Sequence, residues 1–279
     1  MLQHRSSHSS GSLAPLFKNF AARTLEALRF YSRLPVPAFG FERAPFAVPD
    51  LKRLAPYAPL AGAIIAACGA FVLWIAQALA LPPLVAAALA LSALIMAAGG
   101  LHEDGLADVA DGFGGGATRE RKLDIMRDSR VGAYGAAALV LSLLLRAAAL
   151  AALIGESAAI GAAALLLAGA LSRACSLAPL ALLDPARPDG AGASVGRLGA
   201  DAFGKSIAAS LALAAILGLG VLGLGRALLA FVLAWAAALA IVAIARRQIG
   251  GQTGDVGGAA QQLAEIACLI GLLIGAGAA

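Results

Sequence analysis

Apolar residues run along this 279-residue chain in seven long blocks, at 55–80, 83–100, 131–153, 158–182, 205–225, 227–245 and 262–278. A helix needs about 20 mostly apolar residues to cross a hydrocarbon core, and each block comes within a few residues of that length. The second and last are short and are expected to tilt or to lie partly inside a bundle. Backbone polar groups in lipid must bond within their own segment, so the blocks are read as helices. A lipid-facing barrel would show short alternating segments, and none occur. The expected architecture is all-α: a polytopic membrane bundle of about seven transmembrane helices.

The polar stretches divide the rest. Residues 1–12 are rich in Ser and His and are expected to be a disordered tail. No short apolar core with a small-residue cleavage site follows, so no cleavable signal is expected. From 13 to 33, Phe17, Phe20, Leu28 and Tyr31 recur at helical spacing while Lys18, Arg29 and Arg33 fall elsewhere. That pattern predicts a basic amphipathic helix in the plane of the interface. Pro35 and Pro37 end it, and a linker with Pro45 and Pro49 follows. Residues 13–54 thus read as an interfacial segment and linker, and 55–279 as an integral membrane catalytic domain.

Composition agrees: 61% of residues are hydrophobic and 13% charged, against roughly half and a quarter in soluble chains. The placement of charge adds orientation. Eight Lys and Arg precede the first block, five fall in 101–130, three in 183–205 and two in 246–261, whereas the alternate connections hold only Arg226. By the positive-inside rule the crowded side is cytoplasmic. The N-terminus and every long polar loop then face the cytoplasm, and the expected location is the cell inner membrane. The net charge of +5 reports orientation and attraction to anionic headgroups. No basic patch interleaved with aromatics suggests nucleic acid, and none is expected as a partner. Cys68, Cys175 and Cys268 are isolated within apolar blocks and read as small buried hydrophobes.

Two cations interrupt the apolar blocks, Arg146 and Arg173. Intramembrane charges are functional candidates. Arg173 sits in the cytoplasmic half of its block and is a candidate substrate contact; Arg146 is expected to snorkel or to pair with Glu156 or another acid.

The chemistry concentrates in 99–135, which holds seven of the sixteen acids. Asp104, Asp108 and Asp111 follow i, i+4, i+7 spacing, so a helix through them stacks three carboxylates on one face, with Glu103 one step round. At about 6 Å and an effective dielectric near 20, each pair repels by about 3 kcal/mol. A bound cation or raised proton affinity relieves that. Oxygen-only ligands favour Mg²⁺ or Mn²⁺. The metal candidates are therefore Asp104, Asp108, Asp111 and Glu103. A solvated helix face would intersperse cations at i+4, as 119–130 does, and this first helix has none. There, on a predicted helix 119–129, Asp124 and Asp128 form a second pair among Arg121, Lys122, Arg127 and Arg130. Gly114, Gly115 and Gly116 read either as a flexible turn or as a close approach of backbone to phosphate, with Arg119 and Arg121 beyond. They lack a P-loop pattern. His102 is a candidate base or donor to a leaving phosphate, or an interfacial polar residue.

The run LHEDGLADVADGFGGGATRERKLDIMRDSRVGAYG resembles the signature of the cobalamin synthase (adenosylcobinamide-GDP ribazoletransferase) family. ALRFYSRLPVP at 27–37, ARPDGAG at 186–192 and IGGQTGDVGGAAQQLAEIA at 249–267 match in order. The resemblance covers most of the chain. It implies transfer of the adenosylcobinamide-phosphate group of adenosylcobinamide-GDP to α-ribazole or its 5′-phosphate, with release of GMP, at the cytoplasmic membrane with Mg²⁺. It further implies Asp104, Asp108 and Asp111 on the metal, and Asp108 or His102 as the catalytic group. Substrate contacts would come from Asp124, Arg127, Asp128, Arg130, Arg173 and Arg187, with Asp255, Gln261 and Gln262 from the last loop. Such a reaction attacks a diphosphate with an alcohol, so positioning and charge neutralisation dominate it. Two other readings compete. A CDP-alcohol phosphotransferase is echoed by DGLAD, but its longer pattern is not completed. An ion-coupled transporter would place its acids near the bilayer midplane, not in a polar loop.

Overall fold

The computed structural model describes residues 14–47 and 49–274; the expected tail at 1–12 and the end of the last apolar block fall outside them. Among the described residues the chain is helical throughout. The amphipathic segment forms α1 (Ala14–Tyr31), close to its predicted bounds. After the linker, Asp50 accepts from the Lys52 N–H (3.0 Å) and starts α2 (Leu51–Leu54), which runs through a short 3₁₀ turn into α3 (Ala58–Ala78). Next come α4 (Pro83–Ala98), α5 (Leu101–Gly115), α6 (Arg119–Ile125), α7 (Ala133–Glu156) and α8 (Ala158–Cys175). The chain ends with α9 (Ala178–Leu182), α10 (Ala191–Val195), α11 (Ala200–Leu217), α12 (Leu224–Ile249) and α13 (Gly254–Leu273). Side-chain oxygens of Thr118, Ser157 and Thr253 cap α6, α8 and α13, satisfying N–H groups that a helix start leaves orphaned.

Among the described residues six stretches are long and apolar enough to cross a membrane: Leu51–Ala78, Ala133–Glu156, Ala158–Leu182, Ala200–Leu222, Leu224–Ile249 and Gly254–Leu273. The pair α4 and α5 makes a seventh if taken as one span, but it bends by 91°. Gly99 and Gly100 make that bend at φ of 77° and 70°, a region costly for residues with a Cβ. Beyond the bend α5 carries four carboxylates in fifteen residues, a load that lipid does not tolerate. We therefore treat α5 as a polar arm outside the spans.

The last span begins eight residues earlier than the apolar pattern predicts. Asp255, Gln261, Gln262 and Glu265 interrupt its hydropathy, yet Gln261, Gln262 and Glu265 are buried and face other helices. A hydropathy count penalises a polar residue whatever it faces. On α6 the helix stops at Ile125, short of the predicted 129, and a turn follows.

Packing draws the long polar loops to one end. From α6, Arg119 donates to the Ile249 carbonyl (2.8 Å) at the end of α12 and also to the Ala186 carbonyl. The segments around 184–186 and 252 pair through Ala186 N–H to Gln252 O (2.8 Å) and Gln252 N–H to Asp184 O (2.9 Å). At the opposite end Arg226 pairs with Glu156 (2.8 Å) and donates to the Leu272 carbonyl (2.6 Å). In the middle, α3 and α8 pack backbone to backbone where Gly62 meets Gly169.

Candidate active site on the acidic helix

Three contacts aim α5. Gly105 crosses α13 so closely that an added methyl would lie 2.9 Å from the Asp255 carbonyl oxygen and 3.1 Å from the Gly258 Cα. Asp111 is buried, and its two oxygens accept from the Gly132 N–H (2.7 Å) and the Gly135 N–H (2.8 Å). It thus caps α7, whose own N-cap is a glycine with no side chain. On the side facing α7 and α13, Glu103 accepts from Arg146 (3.1 Å) and from Gln262 (3.0 Å).

With α5 held this way, Asp104 and Asp108 remain one turn apart on the open face. Asp104 is exposed and Asp108 half-buried. Asp255, at the start of α13, stands across from them. Burial first, then the neighbouring charges of Asp104, Asp255 and Asp111, push the Asp108 carboxyl up to about 7; Arg187 opposes that shift. The Arg187 guanidinium is 3.6 Å from Asp255 and 3.7 Å from Asp189, and its buried Nη1 has no hydrogen-bond partner. Arg127 reaches the same edge, donating to both oxygens of Asp189 (2.6 and 2.7 Å). The 184–186 and 252 pairing therefore explains why two sequence segments more than sixty residues apart matter together. It carries Arg187 to the carboxylates.

Glu103 and Asp111 thus depart from the expected four-carboxylate metal face. Glu103 is turned to Arg146, and Asp111 to α7. Among the described residues no three His, Cys, Asp or Glu side chains are gathered closely enough to hold a metal by themselves. The physical reason is competition: a buried cation and an uncapped helix terminus each draw a carboxylate as strongly as its stacked neighbours repel it.

Beneath α5 lies a polar network that the sequence did not announce. Arg146, 1% exposed, pairs with Glu103 and with Glu265 (3.2 Å), and Arg173 pairs with the other oxygen of Glu265 (3.6 Å). Gln261 donates to Glu265 (2.6 Å) and Ser172 (2.9 Å). Gln262 donates to Gln261 (2.8 Å) and accepts from Ser142 (3.0 Å). So Gln261 and Gln262 lie on α13 rather than in a loop, and Arg173 meets an acid within the bundle. Arg146 thus meets acids other than Glu156, which binds Arg226. Glu265 was missed, although two arginines in apolar blocks are themselves a signal that buried acids must answer them.

His102 lies two residues before Asp104, so it projects from the opposite side of α5. It is buried and stacked on Tyr31 with ring centroids 6.4 Å apart, away from the open carboxylates. On α6, Asp124 is exposed. Arg130 forks onto Asp128 (2.5 Å) and holds that carboxyl down at about 2. Gly114 and Gly115 belong to α5, where the Tyr134 ring packs against Gly114. Arg119, expected near phosphate, clamps α12 instead.

Comparison with known proteins follows this geometry. The family model described as cobalamin-5-phosphate synthase matches residues 23–273. A protein of Azorhizobium caulinodans named adenosylcobinamide-GDP ribazoletransferase is 55% identical over 248 residues, covering 89% of this chain and 94% of that protein. Proteins of the same name from Xanthobacter autotrophicus and Rhizobium etli are 50% and 43% identical, over 89% and 91% of this chain and 94% and 97% of their own lengths. No solved structure matches the chain.

Proposed function

The chain belongs to the cobalamin-5-phosphate synthase family, and on that premise we propose that it is a membrane transferase that completes the nucleotide loop of cobalamin. Its substrates are adenosylcobinamide-GDP and α-ribazole or α-ribazole 5′-phosphate. A ribazole hydroxyl oxygen bonds to the phosphorus nearest the cobinamide, the bond to GMP breaks, and GMP leaves with the electron pair. The observation that carries this reading is the open face of α5, where Asp104 and Asp108 stand beside Asp255 and a guanidinium with an unpartnered nitrogen.

A divalent cation fits that face. Mg²⁺ or Mn²⁺ is held by one or two carboxylates together with substrate phosphates and water, so the absence of a three-ligand cage is no obstacle. Asp104 and Asp108 would hold it, with Asp255 across from them. The ion would neutralise charge on the diphosphate. The chain's own part is electrostatic and geometric. Arg187 offers its Nη1 to a phosphate oxygen, and Arg127 can exchange Asp189 for another. Asp108, where Asp104 and the substrate phosphates alone hold the ion, is placed to take the hydroxyl proton. The alternate distribution of Lys and Arg supports a cytoplasmic location for this end of the bundle, at the cell inner membrane.

Purified protein in detergent, given a GDP-activated corrinoid and each nucleophile, should release GMP in a Mg²⁺-dependent manner. Release of no GMP with either nucleophile, together with solute uptake in vesicles, would overturn the reading. A cysteine at Gly115, where there is room for a side chain, should react with an impermeant reagent only after the membrane is opened.

A further inference from the structure

A cavity of about 640 Å³ lies between α1 and the linker, and none of the acidic-site residues lines it. Arg29 builds it. From α1 its guanidinium donates to the carbonyls of Val36 (3.3 Å), Pro37 (2.6 Å) and Pro45 (3.3 Å). It also pairs with Glu42 (2.5 Å) and sits 5.3 Å above the Phe46 ring. One side chain thereby straps the linker along the helix and leaves a gap between the two. The other face of α1 is fixed to the bundle by buried Ala27, Leu28 and Tyr31, and Phe20 meets Tyr57 edge-on at 5.5 Å. Both walls of the cavity are therefore held.

The lining is charged and unevenly matched. Lys18, Arg23, Arg43 and Arg53 face into it with Glu26, Glu42 and Asp50. Each acid already has a cation: Arg23 for Glu26 (2.6 Å), Arg29 for Glu42 and Arg53 for Asp50 (3.1 Å). Lys18 and Arg43 have no acid within ion-pair distance among the described residues. The cavity thus favours an anion. Its surroundings are apolar: Leu16 and Phe17 on α1 are 70% and 72% exposed, and Phe41 and Phe46 on the linker are exposed too. Since α1 and the linker lead into the first span, they lie at the end of the bundle that gathers the polar loops.

We propose that this cavity binds the phosphate headgroup of an anionic phospholipid. Lys18 and Arg43 hold the phosphate, and Leu16, Phe17 and Phe41 accompany the acyl chains. A soluble anion would use the two cations and leave the large exposed apolar side chains beside them without a role. A lipid uses both, and the combination of a basic and an apolar surface is what an interfacial helix presents to an anionic leaflet.

The test reconstitutes the protein in nanodiscs of equimolar phosphatidylcholine and phosphatidylglycerol, then counts the lipids retained after extraction by native mass spectrometry. The protein should keep phosphatidylglycerol about thirtyfold over phosphatidylcholine, the scale that two basic side chains near an anionic surface supply. The Lys18→Ala, Arg43→Ala variant should lose the preference and keep its GMP release in detergent. Should that variant accumulate poorly, Arg43→Gln alone, on the exposed linker, should lose part of the preference. Equal retention of both lipids by the unaltered protein overturns the proposal. So does displacement of phosphatidylglycerol by millimolar inorganic phosphate or GDP, which would make this a site for a soluble anion.

Discussion

Glu103 and Asp104 are neighbours on α5, and their surroundings differ in nearly everything that governs a carboxylate. Glu103 is turned into the bundle, where Arg146 and Gln262 satisfy it at 3.1 and 3.0 Å. Asp104 is turned outward, toward Asp108 and Asp255, with a guanidinium no closer to Asp255 than 3.6 Å. On the first side each acid has a cation that cannot leave. On the second, acids outnumber cations and the excess charge invites an ion or a phosphate-bearing substrate. A step of 100° around one helix separates structure from chemistry.

The largest effect is expected on the open side. Asp108→Asn keeps shape and removes charge, so turnover should fall about a thousandfold or more, as when one electrostatic stabiliser of a reacting group is lost. Metal-free stability should stay level or rise, because one of several repelling carboxylates is gone. GMP release against Mg²⁺ concentration, with melts in chelator, reads both; unaltered turnover would remove the open face from catalysis.

On the closed side the same kind of change should act in reverse. Arg146→Met strands Glu103 and leaves Glu265 with Arg173 as its one cation, and losing one partner of a buried pair costs about 3–5 kcal/mol. Folded protein should therefore fall while activity per folded molecule changes less. Combining Arg146→Met with Arg173→Met, Glu103→Gln and Glu265→Gln should recover stability, since a network removed whole, Arg173 included, leaves no buried charge unpaired. A quadruple variant less stable than the single one would refute the closed-network account.

Proton linkage gives a smaller and signed effect. The Asp108 carboxyl holds its proton more tightly in the folded chain, near 7, than in the unfolded one, near 4. Its contribution to metal-free stability is fully present below about 4 and is lost as pH rises through about 7. Melts of the chelated protein across that window should show the decline, and Asp108→Asn should flatten it. Mg²⁺, which competes with this proton, should bind more tightly as pH rises toward 7. The smallest effect belongs to Glu120, exposed on α6 and 3.9 Å from Arg119. Glu120→Gln should change stability by less than about 0.5 kcal/mol, with turnover near that of the unaltered protein; a large loss would extend the acidic site onto α6.

Several elements were readable from local pattern. The spans follow from the length of apolar runs, and the i, i+4 spacing of Asp104 and Asp108 follows from helical period, because both are consequences of one segment's own geometry. The start of α13 was not readable in this way. Its polar residues looked like a loop until Arg146, Arg173 and Glu103 were brought against them. Nor was the cap that Asp111 supplies to α7, which depends on Gly132 and Gly135 lying opposite it.

What the sequence determined by itself was the helical membrane class, the acidic loop at 101–130 with a helix through Asp104 to Asp111, the family and the carboxylates on one face. Periodicity, composition and local spacing are properties that each segment carries wherever it packs. What only the tertiary structure decided was which of those carboxylates stay open. That choice was made by residues distant in the chain: Glu265 and Arg146 taking up Glu103, the start of α7 taking up Asp111, and the 184–186 and 252 pairing delivering Arg187. An ionised group is satisfied by whichever partner reaches it first at a few ångströms, and such distances exist only after the helices have packed.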